Sequence, residues 1–81
     1  MNMTAWRTIY HVFPDASGGN RWIVAMENSD FRQEHRTKES AVKGAEELAR
    51  EQEPSQVKVH KSDGNMEYES TYGDDAREYV S

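Results

Sequence analysis

The first third of the chain alternates β-branched and aromatic residues with polar ones, which predicts two strands and a short loop. Residues 8–13 (TIYHVF) end at Pro14, which lacks a backbone donor and closes the strand. The turn-forming cluster 15–20 (DASGGN) leads to a second apolar run at 21–27 (RWIVAME). Two such runs joined by a glycine-bearing loop are typical of a β-hairpin. Residues 31–36 (FRQEHR) are expected to add at most a third, short strand.

A helical period follows Thr37, whose hydroxyl can accept a free N–H of the first helical turn. The predicted helix runs from Lys38 to about Gln52, and Pro54 prevents its continuation. Its apolar arc covers roughly 120°, which is wide enough to cover a sheet, and contains Ala41, Val42, Ala45, Leu48, Ala49 and Gln52. Because this face is mostly alanine, the bulk of the core must come from the strands: Tyr10, Val12, Trp22, Val24, Val57, Val59 and Tyr68.

A second hairpin is predicted after the helix. Residues 55–61 (SQVKVHK) alternate polar and apolar positions, as a half-buried strand does, and residues 65–72 (NMEYESTY) return. Asp63-Gly64 between them is a signal for a two-residue type I′ turn. Such a turn fixes the register, so that four cross-strand pairs are expected: Ser62 with Asn65, His60 with Glu67, Val59 with Tyr68, and Lys58 with Glu69.

The element order β-β-(β)-α-β-β, with strands segregated around one helix, predicts the α+β class. We expect an antiparallel sheet of four or five strands with one amphipathic helix packed on one face. A chain of 81 residues accommodates one domain. We place it at residues 8–73, with a flexible N-terminus at 1–7 and a flexible C-terminal tail at 74–81.

Six short motifs in this order resemble those of the small prokaryotic and phage proteins grouped as domain-of-unknown-function family 2188. They are YHVFP at 10–14, WIV at 22–24, TKESA at 37–41, AEELAR at 45–50, VKVHKSDG at 57–64 and TYG at 71–73. The resemblance covers about residues 9–75 and implies the architecture above, but no activity. The chain departs from the family pattern in a long loop at 15–20 and in Ser40, which stands where an acidic residue is usual.

Composition bounds the partners and the compartment. The formal net charge of −5 argues against sequence-independent nucleic-acid binding, which depends on Lys and Arg neutralising phosphates. The chain has no cysteine, so no disulfide framework supports it, and a cytoplasmic location is expected. No apolar run reaches the roughly 18–20 residues that span a membrane, and no signal peptide is expected.

Candidate chemistry is sparse, and we expect no catalytic residue, no cofactor and no metal site. The histidines His11, His35 and His60 do not follow a recognised metal-binding spacing. An alternative is a metal site in which His11 and His60 share the outer sheet face beside Glu67. Glu67 and Glu69 also alternate like a pair of catalytic carboxylates, but a domain this small offers little room for the cleft that glycoside hydrolysis needs.

The leading hypothesis is a non-enzymatic binding or interaction module that self-associates as a homodimer. Strand alternation directs four residues away from the helix: Ile9, His11, Phe13 and Ile23. A contiguous apolar group on a bare sheet face marks an interface. In the competing interpretation Phe31, Trp6 or the C-terminal tail folds over this group.

The alternative hypothesis is a nucleic-acid-associated protein. Arg32, Arg36 and Lys38 cluster at the start of the helix, where backbone N–H groups favour phosphate. This stretch is also somewhat similar to the arm-binding domains of phage-type integrases, which are typically basic, whereas this chain is acidic. Glu34 and Glu39 balance the cluster, and this balance favours the first hypothesis.

Overall fold

A computed structural model describes residues 7–73, which form five strands and one helix. In chain order the elements are β1 (Thr8–Pro14), β2 (Trp22–Met26), β3 (Arg32–His35), α1 (Lys38–Glu51), β4 (Ser55–His60) and β5 (Met66–Tyr72). The predicted α+β class is confirmed, and the short third strand is present. The segments predicted to be flexible, 1–7 and 74–81, lie outside the described residues apart from Arg7.

The five strands form one mixed sheet in the order β3-β2-β1-β4-β5. The predicted antiparallel sheet is wrong in one detail, because the central strands β1 and β4 run parallel, with Tyr10 opposite Val57. The helix is the reason for this direction. It crosses the sheet once and returns the chain to the end where β3 begins, so β4 runs in the same direction as β3 and β1.

The helix begins and ends close to the predicted residues. Thr37 has an extended backbone, and its hydroxyl oxygen accepts a hydrogen bond from the Ser40 N–H at 3.0 Å. At the other end, Ser55 is fully buried and donates from its hydroxyl to the Ala49 carbonyl at 2.6 Å. This bond ties the end of the helix to the first residue of β4.

The core lies between the helix and one face of the sheet. The fully buried residues of the helix are all small: Ala41, Ala45 and Ala49 are inaccessible, while Val42 and Leu48 pack partly buried against the core. The bulk comes from strand residues, as predicted, because Tyr10, Val12, Val24, Val57 and Val59 are also buried. Trp22 packs at the margin, whereas Tyr68 is 42% exposed, since it lies on the edge strand β5.

The turn between β4 and β5 is not the predicted two-residue type I′ turn. The Gly64 N–H donates to the Lys61 carbonyl, and the Lys61 N–H donates to the Asn65 carbonyl, both at 2.9 Å. These bonds enclose a three-residue loop. A type I′ turn needs a positive φ at both central residues, but only Gly64 (φ 93°) has one in this turn, while Asp63 does not.

The additional loop residue changes the pairing near the turn but not beyond it. His60 pairs with Met66, and Asn65 is bonded to Lys61, so the predicted pairings of His60 with Glu67 and of Ser62 with Asn65 are wrong. A β-bulge between Val59 and His60 absorbs Glu67 and restores the expected register. The remaining predicted pairs are confirmed, namely Val59 with Tyr68 and Lys58 with Glu69.

Candidate binding face

We call the side of the sheet opposite α1 the outer face. The four residues predicted to lie there do so, because they alternate with Tyr10, Val12 and Val24 of the core. Their exposure is lower than that of a bare apolar patch. Ile9, His11 and Phe13 are half-buried. Ile23 is inaccessible, although it is not part of the core cluster.

The outer face brings two histidines and a carboxylate into one hydrogen-bonded chain. The Nδ1 atom of His11 lies 2.9 Å from Nε2 of His60. The Nε2 atom of His11 lies 2.7 Å from Oε1 of Glu27. The His11 side chain is 26% exposed, and that of Glu27 is 43% exposed. Three side chains from two neighbouring strands and the end of a third thus form one polar network.

The hydrogen-bond partners determine which ring nitrogens in this network carry a hydrogen. A carboxylate only accepts, so Nε2 of His11 carries a hydrogen and donates it to Glu27. Nδ1 of a neutral His11 is then an acceptor, and Nε2 of His60 donates to it. One further proton fits on Nδ1 of His60 without breaking either bond. A second would place hydrogens on both facing nitrogens, so the pair can carry one positive charge but not two.

The geometry does not favour the alternative metal site. The ring centroids of His11 and His60 are 5.1 Å apart, which at a nitrogen separation of 2.9 Å means that the rings meet end to end. Their facing nitrogens are hydrogen-bonded to each other and do not point at a common third position. Glu67 lies away from the two histidine rings. Its Oε1 accepts a hydrogen bond from Nζ of Lys38 at 2.7 Å. Residues 7–73 contain no group of three His, Cys, Asp or Glu side chains arranged for a metal ion.

A groove of about 400 Å³ lies beside the histidine pair. Its apolar wall is formed by Phe13, Pro14 and Ala25, and its polar end by His11, His60 and Lys61. Strand alternation explains the apolar wall, since Phe13 and Ala25 lie on the outer face of β1 and β2. The polar end follows from the three-residue loop, which begins directly after His60 and Lys61.

The structure does not bring the predicted basic cluster together. Arg32 is exposed on the outer face of β3, and Arg36 is exposed before the helix. Lys38 lies on the helix side, where Nζ is 5.7 Å from the ring centroid of Trp22 and bonded to Glu67. The charge of Lys38 is therefore already compensated. The nucleic-acid hypothesis stays a prediction and rests on two exposed arginines.

The geometry can be set beside known proteins. A family model with the description "Uncharacterized protein conserved in bacteria (DUF2188)" matches residues 10–72. The chain belongs to the DUF2188 family. This confirms the resemblance seen in the sequence. For DUF2188 the description assigns no activity, so function must be argued from the residues. Neither a curated protein nor a solved structure matches this DUF2188 chain.

No helix in the part of this DUF2188 chain that the structure describes has the length and apolar character to cross a membrane.

Sequence reasoning missed Glu27 as part of the outer face of this DUF2188 domain. Its N–H donates to the Ile9 carbonyl at 2.8 Å, one step beyond the strand β2. The signal was present, because Glu27 continues the alternation of Ile23 and Ala25. His60 was harder to place, since its contact with His11 requires the parallel pairing of β1 and β4.

Proposed function

We propose that this protein is a small non-enzymatic binding module that acts through the outer face of its sheet. The observation that carries the proposal is the groove, which combines an apolar wall with two imidazoles on the sheet face opposite α1. Binding sites are typically concave and mostly apolar, with a few polar groups that orient the ligand. A cytoplasmic location is part of the proposal, since a small domain without cysteine suits a reducing compartment.

A second copy of the chain is the macromolecular partner that we expect first. Ile9 and Phe13 are half-buried on the outer face, and homodimer contacts are richer in apolar side chains than other surfaces. Two-fold contact would bring the same apolar wall of each copy together. The net charge of −5 opposes association, so dimer formation is expected to strengthen as salt is added.

Sedimentation equilibrium over a wide concentration range tests self-association. The weight-average mass should rise toward that of a dimer, and Phe13→Asp should abolish the rise. Tyr68→Asp is the matched control, because Tyr68 is exposed on the helix side of β5. Circular dichroism of both variants checks that the fold is retained. A monomer at every concentration, or equal loss of association in both variants, contradicts a homodimer that forms through the outer face.

A further inference from the structure

We propose that the groove beside His11 and His60 binds a small organic anion, a carboxylate or phosphate monoester with an apolar body, and that binding is coupled to uptake of one proton by the histidine pair. This proposal rests on the proposed function only in locating the site on the outer face. It does not require self-association.

The polar end of the groove is suited to an anion. The pair accepts one proton on Nδ1 of His60 while both existing hydrogen bonds, 2.9 Å and 2.7 Å long, stay intact. The carboxylate of Glu27 holds His11 in the tautomer that accepts from His60, as carboxylates orient histidines elsewhere. Lys61 lines the same end and adds a permanent positive charge.

The apolar lining residues set the character of the ligand body. Phe13, Pro14 and Ala25 offer an aromatic ring and aliphatic surface without a hydrogen-bonding side chain. A volume of about 400 Å³ is near the lower end of the roughly 300–1,000 Å³ that small-molecule sites occupy. A single ring with one acidic group fits both the size and the combination of apolar and charged lining residues.

The charged groups around the histidine pair are of both signs. Glu27 is already bonded to His11, and Lys58 and Glu69 face each other across β4 and β5. Arg32 lies farther off, opposite Ala25 on β3. These groups balance one another, so beyond the permanent charge of Lys61 the groove gains positive charge only when His60 is protonated. An anion in the groove and a proton on His60 therefore strengthen each other, as linkage requires.

Titration with benzoate, phenyl phosphate and neutral benzyl alcohol tests the proposal by amide NMR. We expect the two anions to shift resonances of β1 and of the β4–β5 turn. Affinity should be roughly five- to tenfold higher near pH 5.5 than near pH 8, the range in which histidine changes charge. Calorimetry in buffers of different ionisation enthalpy should show proton uptake on binding. Comparison of benzoate with phenyl phosphate distinguishes the two classes of anion.

Variants separate the proton from the permanent charge. His60→Gln should bind benzoate with no dependence on pH, while His35→Gln, on the helix side, should keep the dependence of the parent. Should His60→Gln fail to fold, Lys61→Gln in the exposed turn should lower anion affinity and leave the dependence on pH unchanged.

The proposal is overturned if neither anion shifts these resonances, if benzyl alcohol binds as tightly as benzoate, or if benzoate affinity is the same at both pH values. Its failure is distinct from that of self-association. A dimer without anion binding removes only the ligand, and a monomer that binds benzoate removes only the dimer.

Discussion

The imidazole of His35 lies against the backbone of Gly44, so closely that a β-carbon at residue 44 would be 3.0 Å from Cε1 and 3.2 Å from Nε2 of the ring. The ring is held on both sides. Its Nδ1 accepts from the Ser40 hydroxyl at 2.9 Å, and its Nε2 donates to Oε1 of Gln33 at 3.1 Å. The glycine in the middle of α1 therefore has a packing reason: it lets β3 approach the helix.

Gly44→Ala is consequently expected not to stabilise the domain. Helix propensity alone would add about 1 kcal/mol, but overpacking against His35 costs roughly 1–3 kcal/mol. In a His35→Ala background the obstruction is gone, and Gly44→Ala should raise the free energy of unfolding by about 1 kcal/mol. Urea unfolding of the four proteins measures both effects. If Gly44→Ala raises the free energy of unfolding by about 1 kcal/mol with His35 present, the His35 ring moves aside without cost.

Ser55→Ala should lower the free energy of unfolding by about 1 kcal/mol, because it removes a buried donor to the Ala49 carbonyl. The loss should stay near this value since that carbonyl also accepts from the Gln52 N–H at 3.1 Å. Thermal unfolding should report a decrease of roughly 4–8 °C. Ser62→Ala, in the exposed turn, is the control and should leave the midpoint unchanged. Equal midpoints for both variants would contradict a stabilising role for the Ser55 hydroxyl.

Alkaline pH should destabilise the domain through two tyrosines. Burial, and secondarily the Glu51 carboxylate, raise the pKa of Tyr10 above 10.0, and burial followed by Glu46 raises the pKa of Tyr72. Above the unfolded pKa the unfolded chain binds fewer protons than the folded one. Stability is therefore fully present below about pH 10 and is lost as pH rises through the folded values.

The alkaline loss is checked by urea unfolding at several pH values. Tyr10→Phe and Tyr72→Phe together should flatten the decline, whereas Tyr68→Phe, which changes an exposed ring, should not. Lysine deprotonation affects all variants alike and cancels in the comparison. An unchanged slope in the double variant would argue against both tyrosines.

Asp63→Gly distinguishes the observed loop from a type I′ turn. Asp63 accepts the Asn65 N–H at Oδ1 and the Asn65 side-chain amide at Oδ2, at 3.0 and 3.2 Å. Glycine removes both bonds and adds freedom to the unfolded chain, so a loss of about 1 kcal/mol is expected from urea unfolding. Asp63→Asn, which keeps one acceptor, should lose less. A stabilised Asp63→Gly would indicate instead a turn that needs positive φ at this residue.

Much of the fold follows from local patterns. Alternation in 8–13 and 55–61 placed the correct side chains in the core, and Thr37 and Pro54 marked the helix closely. The parallel pair of β1 and β4 was missed because hairpin rules describe only strands that are neighbours in sequence. The bulge was missed because the Asp63-Gly64 pair supports two different turns, and only backbone φ separates them.

The candidate site was predictable only in part. His11 and Phe13 followed from alternation on a single strand. The network around them did not, because it joins the end of β2 to the end of β4 and depends on which strands are adjacent. The predicted basic cluster does not form, for a similar reason. Arg32 and Lys38 are close in sequence, but the chain turns between them and places them on opposite faces of the sheet.

The parallel contact of β1 with β4 also has a kinetic consequence. Each hairpin can close on its own, but the core residues Tyr10 and Val57 meet only when the two halves of the chain come together. The helix connects these two halves. Once formed, it restricts the conformations that the chain explores before β1 and β4 pair. Assembly of this domain should thus be governed by one long-range event, slower than either hairpin, and substitutions that stiffen α1 should accelerate it.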